Sequence, residues 1–274
     1  MPFTGYSTFL SSLEEQNMVN AIITGTTVTN ARLHDLYRPT LDPTTGAVPA
    51  IPTTATELSK SNTTALNYYL PNYSTEKPYI LGARVGTVQT MGTYFIIDRL
   101  SHQGGLDGTI ITAQTTNLPT AALTRYTNGA GVMIGLTIWV SIGTTATTVT
   151  VSYTNQAGTS GRTTVAQVFG GAGNNTAPRM IFLPLAAGDS GARSVESVTL
   201  AGTTGSAGNF GVTLFKILGA VCVDNMQSVS WNDIITGGFI GGIPELLDTT
   251  HLSLLGIFSN TASTGGMSIF IGES

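Results

Sequence analysis

The stretch "IGLTIWVSIG", residues 134–143, alternates without a break. Ile134, Leu136, Ile138, Val140 and Ile142 share one face, and Thr137, Trp139 and Ser141 share the other. A strand turns successive side chains to opposite faces, so a two-residue period marks a β-strand with one aliphatic face.

The same grammar extends on both sides. "TTVTVSYTNQAGTSGRTTVAQVF" puts Val149, Val151 and Tyr153 on one face, then a glycine-containing turn leads into a partner strand, which predicts a hairpin. "VESVTLAGTTGSAGNFGVTLFKIL" repeats the scheme, with "TTGSAGN" as its turn. The C-terminal "ITGGFIGGIPELLDTTHLSLLGIFSNTASTGGMSIFIG" supplies two or three further apolar strands. Short strands separated by Gly, Thr and Asn turns predict an all-β fold, an antiparallel β-sandwich of jelly-roll-like character.

The N-terminal part reads differently. "YSTFLSSLEEQNMVNAIITG" predicts a short helix, with Ser7 as its cap, Glu14 and Glu15 inside it, Gly25 past its end, and a modest stripe of Phe9, Leu10, Leu13 and Ala21. "RPTLDPTTGAVPAIPTTATELSKS" is rich in Pro and Thr and reads as an extended arm, a length of irregular chain better suited to lying over a neighbour than to a compact monomer. A tyrosine cluster (Tyr68, Tyr69, Tyr73, Tyr79) follows. The expected organisation is an N-terminal helix and arm over residues 1–85, a β-sandwich over 86–220, and C-terminal strands over 221–274 that pack on that sandwich or in a subunit interface.

Charge narrows the function. Charged residues make up 9% of the 274-residue chain, against about 25% in an ordinary soluble domain, while hydrophobic residues make up 41%. That apolar content excludes a disordered chain. So few charges leave strand edges poorly protected, which implies that neighbouring subunits cover them. All 11 basic residues lie at or before Lys216; beyond it stand only Asp224, Asp233, Glu245, Asp248 and Glu273. No basic stripe exists for nucleic acid, and no apolar run is long enough to span a bilayer. With no basic residue before Arg32, no secretory signal peptide is read. The single cysteine, Cys222 in "ILGAVCV", is expected to be a small buried hydrophobe.

Each catalytic motif meets a structural reading. Gly188-Asp189-Ser190-Gly191 spells the core of the nucleophile motif of trypsin-like serine proteases. Such a serine needs a histidine base, and the histidine a carboxylate. Here Ala192 and Arg193 replace the Gly-Pro that continues the motif, and His102 lacks the family's surroundings. A turn between two strands is the better reading, with Gly188 and Gly191 supplying unusual backbone angles and Arg193 placed to pair with Asp189. None of Lys60, Lys77 and Lys216 follows a glycine, so there is no phosphate-binding loop. Asp98, His102 and Asp107 fit no metal template, and His34-Asp35 is a pair without a third partner. Trp139 and Trp231 could stack on a sugar ring if exposed. The expectation is therefore no enzyme, no catalytic, cofactor-binding or metal site, and no cofactor.

Several blocks together carry a resemblance: "LPTAALTRYTNGAGVM", "VTVSYTNQAGTSGRTT", "FLPLAAGDSGARSVESVTL" and "GGIPELLDTTHLSLL". They resemble virion structural proteins of tailed bacteriophages, over roughly residues 88–260. The resemblance implies a capsid decoration (cement) or other head-associated protein, located in the virion after assembly in the host cytoplasm. Its partners would be the major capsid protein and copies of itself, as a trimer or similar oligomer. The alternative is a tail-fibre or receptor-binding module for host glycans. Interfaces are expected at Pro39–Pro52, the Tyr68–Tyr79 cluster and the acidic segment Asp224–Asp248.

Overall fold

The structure, a computed structural model, describes residues 17–27, 29, 31–37, 41–42, 46–49, 55–62, 78–87, 91–118, 123–223, 229–233, 246–259 and 262–273. All regular structure in these residues is β, arranged in three antiparallel sheets.

The middle sheet decides the architecture. Its order is β12 (Met180–Leu183), β8 (Met133–Val140), β14 (Asn209–Val223), β6 (Gly92–His102), β16 (Leu252–Phe258) and β2 (Leu33–Asp35), with the short β4 (Thr56–Glu57) added to β6. The two ends of this order meet. His34 bridges to Arg179, and Asp35 N donates to Pro178 O at 2.9 Å, so the sheet curls into a nearly closed barrel. A barrel this narrow is filled by its own side chains. One interior layer draws on every strand of the ring: Leu33, Phe95, Ile97, Met133, Met180, Phe215 and Leu255. Gly135 lies beside this layer because a Cβ there would stand 2.8 Å from Met180 Sδ and 3.2 Å from a Phe215 ring carbon.

The second sheet comprises β10 (Arg162–Thr163), β9 (Thr147–Asn155), β13 (Ala192–Leu200) and β7 (Gln114–Leu118), with β11 (Gln167–Phe169) also paired to β9. It packs on one flank of the barrel. Ile134, Leu136 and Ile138 of β8 and Val212 and Leu214 of β14 meet Val149, Val151, Tyr153, Val195 and Val198 in the largest core cluster. The third sheet, β15 (Val229–Asp233), β5 (Pro78–Thr87), β17 (Ala262–Glu273), β1 (Asn17–Thr27) and β3 (Leu41–Asp42), joins segments from the two halves of the chain. Its Val19, Ala83, Val85, Met267 and Ile269 pack against Tyr94, Ile96, Val221 and Leu254 on the other part of the barrel wall.

The antiparallel all-β expectation holds, and so does the hairpin of β9 with β10 and β11. In place of two stacked layers there is a curled central sheet with a sheet on each flank. Three readings change. The helix expected over residues 6–25 is a strand from Asn17 onward; β1 pairs with β17 from Asn17↔Ile271 to Thr27↔Ala262, and its earlier part lies outside the described residues. The burial there alternates, with Met18 and Ile22 about half exposed and Val19 fully buried, which is strand periodicity. β13 and β14 form no hairpin: β13 pairs with β9 and β7, and β14 with β6 and β8. The loop between them crosses from one sheet to the other. Cys222 is exposed, 3.4 Å from Thr93 Oγ1.

Candidate functional site

Above the apolar layer the barrel interior turns polar. Asp35 of β2, Arg99 of β6, Thr137 of β8 and Thr213 of β14 converge, each 0–1% exposed. Arg99 Nη2 donates to Asp35 Oδ1 in an ion pair. The other carboxylate oxygen accepts from Thr137 Oγ1 at 2.9 Å, and Oδ1 also accepts from Tyr37 N at 3.0 Å. Thr137 and Thr213 hydroxyls stand 3.0 Å apart. The Arg99 guanidinium lies over the Tyr37 ring, 4.5 Å from its centroid. A buried carboxylate is costly unless its lone pairs are used, and here three donors use them.

The layer beyond is aromatic and imidazole. The His102 ring lies 5.2 Å from Tyr37 and 5.5 Å from Trp139, both edge-on, and His251 lies 5.9 Å from Tyr37. Trp139 Nε1 donates to Gln103 O at 3.1 Å. Burial holds His102 well below the ordinary imidazole range, with Arg99 and then His251 adding to the effect. Burial, reinforced by Arg99 and Arg125, pushes His251 down to about 3. These rings are neutral at neutral pH.

A second buried pair lies outside the ring. Arg125, from the β7–β8 connection, grips Asp98 with Nε and Nη2 at 2.9 Å each, and Nη2 also donates to Leu58 O at 2.7 Å and Arg99 O at 3.1 Å. His251 N completes Asp98 at 3.0 Å. Burial raises the Asp98 carboxyl despite Arg125. This one guanidinium ties its own β7–β8 connection and the Leu58 segment to β6.

The Gly-Asp-Ser-Gly stretch is a turn between β12 and β13. Asp189 N donates to Ala186 O at 3.0 Å, and Gly188 has φ 86°. Gly191 is extended; a Cβ there would meet Gly131 N at 2.8 Å. The Asp189 carboxylate accepts from Tyr153 Oη at 2.5 Å, Asn155 Nδ2 at 2.7 Å and Arg162 Nε at 2.8 Å. Arg162 first, then Tyr153, pull it down to about 2. The expected Asp189–Arg193 pairing is replaced by Arg162, because Arg193 donates to Gln156 O at 2.6 Å instead. Ser190 is exposed, and none of the three histidines is among the partners of Asp189.

The other residues singled out from sequence are dispersed. Asp98 binds Arg125, His102 packs on rings, and Asp107 caps its own turn by accepting from Thr109 N at 2.7 Å. No group of three metal-ligating side chains occurs among the described residues. Trp139 is 1% exposed, so it cannot stack on a sugar. Trp231 lies on β15. Tyr79 is buried in β5, while Tyr68, Tyr69, Tyr73, Asp224 and Glu245 lie outside the described residues, as does most of Pro39–Pro52. Sequence reasoning missed both ion pairs. Their signal was Asp98-Arg99 set inside the apolar run Phe95–Leu100, where a charge must find a partner.

No protein-family profile matches the chain, and no curated protein matches it. Among solved structures, "Structure of infectious bursal disease virus Gt strain" aligns with TM-score 0.19 at 7% identity, covering 94% of this chain and 80% of that one. "Crystal structure of infectious bursal disease virus VP2 subviral particle" aligns with TM-score 0.17 at 7% identity over the same shares. Scores this low assign neither a fold nor a function.

Proposed function

We propose that the chain is a structural protein of a bacteriophage virion, a capsid decoration or cement protein that stabilises the head through contacts between subunits. The observation that supports this reading is a surface sparse in charge that carries outward apolar side chains. Of 26 charged residues, Asp35, Asp98, Arg99, Arg125 and Arg179 are buried, which leaves at most 21 for the surface of a 274-residue chain. Met18 and Ile22 project from the outer side of β1, 52% and 50% exposed, and Val165, Val168 and Phe182 are also open. Exposed apolar groups with so little charge around them favour association over free diffusion.

In this reading the work is mechanical, with the major capsid protein and further copies of the chain as partners. No catalysis, cofactor, nucleic acid or membrane is involved. The Asp35–Arg99 pair braces the barrel from within, the Asp98–Arg125 pair ties connecting chain to its wall, and Asp189 locks a surface turn. The protein would reside in the virion, assembled in the host cytoplasm.

Quantitative mass spectrometry of purified particles tests the proposal. Copies on the order of the major capsid protein itself, lost together with resistance to heat or chelator when the gene is deleted, are the expected result. A few to a few tens of copies, or absence from the particle, would overturn the decoration reading.

A further inference from the structure

All three histidines of the chain are buried in the barrel or its wall: His34 1%, His102 4% and His251 0% exposed. His34 occupies the weakest closure of the ring. Other neighbours in the ring share at least three paired positions, as β16 and β2 do at Leu33–Asp35, whereas the backbones of β2 and the start of β12 meet at the single His34↔Arg179 bridge and the Asp35 N bond to Pro178 O, with Arg179 Nη1 adding a bond to Leu33 O. The His34 Nε2 lies 3.0 Å from both Thr29 N and Thr29 O, its ring stacks at 6.4 Å from Phe258, and its buried Nδ1 has no partner.

The charged group facing His34 from across the closure is Arg179, with Arg32 beyond it. Arg179 Nη1 donates to Leu33 O and Met180 O, and Nε donates to Asn174 Oδ1; none of these is a carboxylate. Phe258, from β16, brings no charge. Inside the barrel, His102 faces Arg99, His251, Tyr37 and Trp139, and His251 faces Arg99, Arg125, His102 and Tyr37. The nearby carboxylates, Asp35 and Asp98, are already held by Arg99 and Arg125.

We propose that the junction of β2 with β12 is a proton-operated clasp, in which protonation of His34 beside Arg179 parts the two strands while β2 stays paired with β16. A proton on His34 places a second cation against Arg179 where no carboxylate is at hand to balance it. Parting the strands lets water reach both. The sign follows from the direction of the shift. Burial, with Arg179 assisting against the Thr29 bond, holds His34 down to about 4 in the closed state, while the released side chain returns toward its ordinary 6.5. The open state therefore binds the proton more tightly, and His34 alone makes opening about 20-fold more favourable at pH 5 than at pH 7.

Native-state amide exchange at Asp35, whose N–H donates to Pro178 O across the junction, corrected for intrinsic rates, tests the clasp at pH 7 and pH 5. His34→Gln keeps a side-chain amide that can bond Thr29 but cannot be protonated. The expected result is that wild type loses protection on acidification by a factor about 20 greater than His34→Gln does. Equal losses in the two proteins would overturn the proposal. Should the variant not fold, NMR titration of the histidine rings decides: His34 still neutral in the folded protein at pH 5 supports the clasp, and titration near 6.5 refutes it.

Discussion

Arg99 and Asp35 stand 64 residues apart in the sequence and meet inside the barrel, one guanidinium against one carboxylate, with neither exposed by more than 1%. They come from β6 and β2, strands that do not pair with each other; β16 lies between them. The contact therefore braces the barrel across its interior.

Removing one partner should cost more than removing both. Asp35→Leu or Arg99→Met leaves a buried charge uncompensated, a loss of about 3–5 kcal/mol. Asp35→Leu with Arg99→Met keeps the volume apolar and leaves Thr137 and Thr213 bonded to each other, so most of that loss should return. Urea denaturation of the singles and the double provides the cycle; additive losses would show that the pair is not coupled.

Gly135→Ala introduces a methyl group where Met180 and Phe215 already meet. Overpacking of this kind costs about 1–3 kcal/mol. Thermal unfolding should show a lower midpoint for this variant, and an unchanged midpoint would place Gly135 off the packed layer.

Stability should fall as pH drops below the ordinary imidazole range. His34 and His251, held down to about 4 and about 3, stay neutral in the folded protein while the unfolded chain takes up protons. Each contributes a loss of about 1.6 kcal/mol between pH 6.5 and pH 5. Asp98, whose carboxyl is raised, acts in the opposite sense at lower pH, because the folded state takes up its proton first. Denaturant midpoints that stay level from pH 7 to pH 5 would contradict the buried placement of the rings.

Asp189→Asn should loosen the turn without unfolding the protein, since Tyr153, Asn155 and Arg162 all converge on its carboxylate. Amide exchange at residues 186–191 is the measurement, with faster exchange expected. Ser190→Ala, at an exposed position, should change stability by less than about 0.5 kcal/mol. A hydrolytic activity lost in Ser190→Ala with folding intact would reverse the reading of this stretch as a turn.

Cys222 should react with a thiol reagent in the native protein, one equivalent per chain, with no denaturant added. A thiol that becomes reactive only on unfolding would contradict its exposure.

Much of the second sheet was legible because its strands are half-buried: Val149, Val151 and Tyr153 face in, while Thr150, Ser152 and Thr154 alternate with them on the other face. The turn at Gly188–Gly191 was legible from its small residues, but the partner of Asp189 was not. Arg193 is close in sequence, whereas Arg162 is brought near only by the β9–β10 hairpin. The β13–β14 loop misled because glycine and threonine serve a hairpin and a crossing between sheets equally well. Its course is set by Thr204, whose hydroxyl accepts from Gly143 N at 3.1 Å and donates to Gly108 O at 2.9 Å. β1 resembled a helix because its partner, β17, lies at the far end of the chain, beyond the reach of any local pattern.

The sequence by itself determined that the chain is antiparallel β, that Ile134, Leu136 and Ile138 share a core face, and that charge is scarce. A period of two is a local property and survives whatever the strand packs on. Only the tertiary structure decided what became of the other face of β8. Because the sheet curls until His34 meets Arg179, Thr137 and Trp139 lie in a second interior. Whether a face is wet or dry depends on what closes over it, and that closure brings Asp35 to Arg99 and buries His102 against Tyr37 and Trp139.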